Sequence, residues 1–297
     1  PNFIANHIGL YGIVRSLEAL ATGRFTIEEI DAITGPALGR PASATFRTTD
    51  IAGIDVVAHV LRNLSEQLTS DADREAFALP PLVTALLERQ ALGEKSGKGF
   101  YQRRKNAGGE TEIWTLDPTT LDYRPKQSAR IASIDAGRSM DDLAERVRML
   151  FHAKDKAGEF LRATLAPTLV YTARVTPAIA HSIDDVDRAM RWGFGWELGP
   201  FELIDVIGAT AVVAAAEGTH AMLGGVPPLL ADVLGRSTPS FRKGLVPPAA
   251  PDLQILRTAR EQQRVVKKNA GASLVDLGDG VFAVEFHSKM NAIGGDT

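Results

Sequence analysis

The sequence predicts an all-α chain: two homologous helical domains followed by a short C-terminal β-hairpin. Three observations predict it. Apolar residues recur at helical spacing through most of the chain. One helical pattern occurs twice: IEEIDAI at 27–33 matches IDDVDRA at 183–189, and Asp50-Ile51-Ala52-Gly53 matches Asp205-Val206-Ile207-Gly208. The two matches stand 156 and 155 positions apart, a shared offset that independent acidic helix starts do not explain. Strict alternation is confined to ASLVDLGDGVFAVEFHS, around a Gly-Asp-Gly turn, and predicts the hairpin.

The elements follow in order. Residues 4–21 read as a helix with Ile4, Ile8, Tyr11, Ile13, Leu17 and Leu20 on its apolar face. Thr26 is the expected N-cap of a second helix, whose glutamates lie in the first turn where the helix dipole favours them. GPALGRP breaks it, and Asp50 is the expected cap of a third helix, IAGIDVVAHVLRNL. PPLVTALLERQ reads as a fourth, starting at proline, before the glycine-rich GEKSGKGFY. From 102 to 138 the chain is polar and without period, the pattern of a linker. Helical spacing returns in MDDLAERVRMLFHA, EFLRATLAPTLVYTARV, SIDDVDRAMRW and PFELIDVIGATAVVAAAEG. A proline-rich exit and an amphipathic connector, LQILRTAREQQRVVKKN, lead to the hairpin.

With 297 residues, 44% hydrophobic and 23% charged, the chain has the composition of an ordinary globular protein. A net charge of −3 argues against electrostatic capture of nucleic acid or an anionic membrane. The absence of cysteine excludes a disulfide framework and thiolate metal sites, and fits a cytoplasmic protein. No apolar run reaches the ~20 residues that span a bilayer. The six histidines show no metal-ligand spacing, so no metal is expected, and neither a nucleophile elbow nor a phosphate-binding P-loop is present.

Two places carry candidate chemistry. Asn6 puts an amide into the apolar first helix, where it either faces solvent, caps locally, or meets a ligand. GEKSGKGFY is either a structural turn or a nest of backbone amides with basic residues for an anion. Arg40, Arg47 and Lys95 are the cations in reach of such a ligand, although isolated basic residues are usually solvated. His7 reads as a surface or packing histidine. From these residues alone, no complete acid–base pair emerges.

Four ordered stretches, FIANHIGLYG, GRPASATFRTTDIAGIDVVAHV, GEKSGKGFY and DVDRAMRWGFGWELGPFELIDVIG, resemble the C-terminal helical domains of the 3-hydroxyacyl-CoA dehydrogenase family. The closing EFHSKMNAIGGD is similar to the first hairpin of a crotonase (enoyl-CoA hydratase) domain. The resemblance implies a fragment of a multifunctional fatty-acid oxidation enzyme that uses NAD to oxidise 3-hydroxyacyl-CoA. Its Rossmann domain, with the catalytic His–Glu pair, would lie upstream, so this piece alone is expected to be inactive. PNFIANH matches the family's P-x-F-x-x-N-R motif, which makes Asn6 the substrate-positioning amide; His7 departs from the usual arginine. Lys95 matches the lysine that contacts NAD. The chain begins without Met, with an apolar helix already under way, and ends at KMNAIGGDT; both ends are expected to be cuts.

The expected organisation is a first helical domain at 1–101, a linker at 102–138, a second copy at 139–250, a connector at 251–271 and a truncated crotonase-like start at 272–297. The second copy is expected to pack on the first as a dimer partner would. Two other classes remain open: a non-catalytic helical interaction module, and a dehydrogenase of small 3-hydroxy acids.

Overall fold

The computed structural model describes residues 3–242, 256, 259, 263–269 and 271–286. They fall into two compact units, Pro1–Phe241 and Arg242–Thr297. The first unit is mainly helical. Its central pair is α1 (Ile4–Ala21) and α9 (Lys156–Ile179), which pack along each other. Ile8, Tyr11, Leu17 and Leu20 of α1 are buried, as its period predicts. Tyr11 stacks on Tyr171 with ring centroids 4.0 Å apart and planes at 2°. One continuous apolar cluster runs from Ala5 to Phe241.

Around this pair lie α2 (Ile27–Thr34), α3 (Phe46–Ala52), α4 (Ile54–Gln67), α5 (Asp71–Ala76) and α6 (Pro81–Glu88). Thr26 caps α2 as expected, in a full capping box with Glu29. Asp50 does not start a helix. It lies inside α3, because the chain turns only at Gly53, whose φ of 98° a side chain would resist. Later come α7 (Ala132–Gly137), α8 (Leu143–His152), α10 (Ile183–Phe194), α11 (Pro200–Ile207), α12 (Ala209–Ala216) and α13 (Pro228–Leu234). Along α9, Thr164, Thr168, Thr172 and Thr176 are all buried. Each donates its hydroxyl to the carbonyl four residues before it, so none needs a partner from another element.

The all-α expectation does not hold. The stretch read as a linker contains an antiparallel sheet of β1 (Tyr101–Lys105), β2 (Thr111–Leu116) and β3 (Tyr123–Pro125). Only the ends of these strands are buried, so no apolar alternation marks them in the sequence. Cross-strand contacts hold them instead: Arg104 lies over Trp114 at 4.2 Å. The second unit is likewise more than a hairpin. β4 (Val265–Lys268) adds to β5 (Ala272–Gly278) and β6 (Val281–Phe286) in a second three-stranded antiparallel sheet. β4 falls within the segment read as an amphipathic connector. The rest of that connector, the proline-rich exit and the closing KMNAIGGDT lie largely or wholly outside the described residues.

The first sheet is tied to the helices by Glu28, whose side chain is 3% exposed. It accepts both Nη groups of Arg124, at 2.6 and 3.0 Å, and the Gln127 N–H at 3.0 Å. Burial pushes the carboxyl up, but these donors outweigh it and hold it at about 2, below the ordinary 4.5. A depressed folded value means stability that is full above 4.5 and lost as pH falls through about 2. Glu28→Gln should therefore cost up to about 3 kcal/mol at neutral pH. In urea titrations the gap to the native chain should close as pH falls across that window.

One hydrogen-bonded device occurs twice in the first unit. Asp31 accepts the Phe46 N–H at 2.7 Å, and Asp187 accepts the Phe201 N–H at 2.8 Å. Asp50 accepts the Phe100 N–H at 2.8 Å, and Asp205 the Phe241 N–H at 2.7 Å. Gly53 and Gly208 turn the chain at nearly equal angles, φ 98° and 104°. The rings of Phe46 and Phe100 lie 4.6 Å apart, those of Phe201 and Phe241 4.9 Å.

Among the described residues no helix is long and apolar enough to cross a membrane, and no cluster of His, Asp or Glu could hold a metal ion.

Candidate functional site

Asn6 sits in the first turns of α1 and is half-buried. Its amide has no hydrogen-bond partner among the described residues, so it caps nothing and is available to an incoming group. His7 is different in kind. It is 2% exposed, its Nε2 lies 2.6 Å from the Tyr171 hydroxyl, and its ring meets Phe77 edge-on. It is a packing histidine.

Beyond Asn6 the same face of α1 carries Gly9, Ile13 and Ser16, since residues three and four apart line up along a helix. These line a cavity of about 280 Å³ between α1 and α9. Thr164 and Thr168 of α9 form the opposite wall; Phe194, Trp196 and Arg40 close another side. Arg40 lies over the indole of Trp196 at 3.8 Å. Burial pushes its guanidinium down to about 9 from the usual 12.5. The basic residues therefore separate: Arg40 is held by an aromatic face, while Arg47 pairs with Glu94 at 2.9 Å.

GEKSGKGFY folds as a tight structural turn around Asp50, whose carboxylate holds the N–H groups of Phe100 and Tyr101 at 2.8 and 2.9 Å. Gly93 and Gly99 are required there. A Cβ would come 2.3 Å from the Asp50 carbonyl oxygen at Gly93, and 2.0 Å from Asp50 Oδ1 at Gly99. Burial pushes Asp50 up to about 6, and these backbone donors pull the other way. Asp31 behaves alike, raised to about 6 by burial against the N–H groups of Phe46, Arg47 and Thr45 and the Tyr101 hydroxyl. The turn projects Lys95 outward, half-exposed. Its ammonium is 2.7 Å from the Asp55 carboxylate, at the N-terminus of α4 and against Gly53. Such an exposed ion pair exchanges partners at little cost.

Sequence reading singled out Asn6 and Lys95 as candidates but did not point to the cavity. Its signals were two glycines within one helix and threonines recurring every four residues in α9, both of which also fit simple close packing.

A family model, 3-hydroxyacyl-CoA dehydrogenase C-terminal domain, matches residues 3–103 and 158–238. A "Probable 3-hydroxyacyl-CoA dehydrogenase" of Bacillus subtilis is 37% identical over 309 residues, covering 100% of this chain and 38% of that protein. A protein of the same description from Deinococcus radiodurans is 42% identical over 106 residues, 36% of this chain and 30% of its own. A protein of Rickettsia felis described as a fatty acid oxidation complex trifunctional enzyme is 26% identical over 224 residues, 74% of this chain and 29% of its own. The chain thus spans no more than 38% of the length of these relatives. With well over half of its residues matched by that model, the chain belongs to the 3-hydroxyacyl-CoA dehydrogenase C-terminal domain family.

Proposed function

We propose that this chain is the helical part of an NAD-dependent 3-hydroxyacyl-CoA dehydrogenase of fatty-acid oxidation, and that Asn6 is its substrate-positioning amide. The observation that carries the reading is the Asn6 side chain, half-buried and unengaged by the described residues, one helical turn before Gly9 on the face of α1 that lines a cavity. There its N–H donates to the 3-oxygen or the thioester carbonyl and fixes the reacting carbon against a base on another domain. NAD, when bound, supplies the hydride acceptor; Lys95 meets its edge, and the rest of its site lies upstream. The coverage of longer relatives supports a multidomain parent, and the trifunctional description of the Rickettsia relative supports further activities in the same polypeptide. The doubled Asp–Phe device, together with one family model matching two segments, supports the reading of 139–250 as a second copy of the first helical unit.

The test is acetoacetyl-CoA-dependent oxidation of NADH, followed for this chain alone and for the chain extended upstream to the length of its relatives. Turnover by the extended chain only is expected. Turnover by this chain alone, or by neither, sinks the reading.

A further inference from the structure

The half-open cavity beside α1 has a polar side that the dehydrogenase reading leaves unused. Arg40 and Ser43, in the connection between α2 and α3, and Thr48 of α3 line it together with the hydrocarbon of Leu161 and Leu165. Arg40 is the one charged residue of this lining, and no carboxylate lines it among the described residues. Arg40 is half-buried and its Nε is sealed from solvent, yet the guanidinium makes no hydrogen bond and no ion pair among the described residues. Other half-buried arginines are provided for: Arg124 meets Glu28, and Arg174 meets Asp73. The Trp196 indole backs Arg40 at 3.8 Å, which attracts one face of the guanidinium but offers no acceptor in its plane. Burial pushes the group down to about 9, because no carboxylate stands near enough to hold it up. A cation drawn out of water without an acceptor costs the fold stability, so its reason lies outside the fold's own packing.

A second donor stands in the same lining. The hydroxyls of Thr48 and Ser43 are 2.8 Å apart and share one hydrogen between them. Each hydroxyl carries its own hydrogen, so one of the two has no acceptor among the described residues. The neighbouring hydroxyls differ. Thr45 donates to Thr34 at 2.9 Å, and Thr34 to the Ile30 carbonyl at 2.9 Å, which closes that chain within the protein. The cavity therefore presents a guanidinium and one hydroxyl hydrogen, both unengaged, beside a hydrocarbon wall.

We propose that this cavity is a binding site for a small monocarboxylate with a compact apolar body, its carboxylate on Arg40 and the Ser43–Thr48 hydroxyl pair. A guanidinium matches a carboxylate with two parallel hydrogen bonds, and an aromatic face behind it leaves its edge free to make them. A phosphate brings three strongly accepting oxygens, more than one guanidinium and one hydroxyl hydrogen can satisfy. A neutral ligand would leave the guanidinium without a counter-charge. The body of the ligand lies against Leu161 and Leu165, where a second polar group would find no partner. Asn6 is not part of this lining, so the site stands apart from the amide proposed to hold a thioester.

The test is calorimetric titration of this chain with cyclohexanecarboxylate, with its neutral amide cyclohexanecarboxamide and with inorganic phosphate. The native protein should bind the carboxylate about tenfold or more tighter than either of the others, the effect of one charge-assisted hydrogen-bonded pair. Arg40→Gln should abolish that preference. Arg40→Lys, which keeps the charge but not the fork, should retain only part of it. Equal binding of acid and amide, phosphate bound as tightly as the carboxylate, or no binding of the carboxylate overturns the proposal. So does an Arg40→Gln variant that binds the carboxylate as the native protein does. Should Arg40→Gln fail to fold, the acid–amide comparison on the native residue decides, read from Trp196 fluorescence with Trp114 and Trp192 replaced by Phe. A response to the acid alone supports the site, and equal responses overturn it. No turnover enters these readouts, so the site and the dehydrogenase reading stand or fall separately.

Discussion

In the chain extended upstream, Asn6→Ala should lower kcat/KM for acetoacetyl-CoA reduction by about 10² to 10³, the loss typical of removing one preorganised donor from a developing oxyanion. It should do so without destabilising the fold. The Asn6 amide is bonded to nothing among the described residues, so truncating it orphans no buried group. Alanine is also a better helix former than asparagine, which favours the variant at this helical position. A melting temperature equal to or above native, with activity largely gone, is the expected pair of results. Full activity would reduce Asn6 to a half-buried polar residue inherited from an ancestor. A drop in both activity and melting temperature would point to a structural duty that the side chain's lack of partners does not account for.

Much of the helical plan was legible in the sequence because helices here announce themselves locally. The Thr26–Glu29 capping box and the buried stripe of α1 are short-range patterns, and both are found where expected. The β1–β3 sheet escaped because its strands are mostly solvated, so no burial period exists to be read. Asp50 was misassigned for a related reason. An aspartate before an apolar helix looks like a cap, yet its true partners are the amides of Phe100 and Tyr101, fifty positions on. Spacing cannot reveal a bond of that length. The site divides in the same way. Asn6 and Lys95 stand in compact motifs, whereas the cavity joins Gly12 to Thr168 and Arg40 to Trp196, contacts between residues more than 150 positions apart that exist only in the folded chain.

The largest stability effect should come from Asp50→Ala. The side chain is 1% exposed and holds two buried N–H groups, on Phe100 and Tyr101. Its loss leaves both without an acceptor, at about 1 to 3 kcal/mol each. Water cannot readily replace the carboxylate, because Gly99 lies against it and Gly93 packs on the Asp50 main chain behind it. A total of about 3 to 5 kcal/mol is expected, measured by urea unfolding, which is a large part of the stability of most domains. Asp50→Asn should fall between: the amide oxygen serves one N–H, while its NH₂ confronts the other. The turn that carries Lys95 is anchored by the same carboxylate, so weaker cofactor affinity should accompany the lost stability. Asp205 gives the internal control. It holds Phe241 as Asp50 holds Phe100, but it is only half-buried, so water can replace part of what Asp205→Ala removes. A smaller loss of the same kind, without change in cofactor affinity, is the expected result, because only Asp50 anchors the turn that carries Lys95.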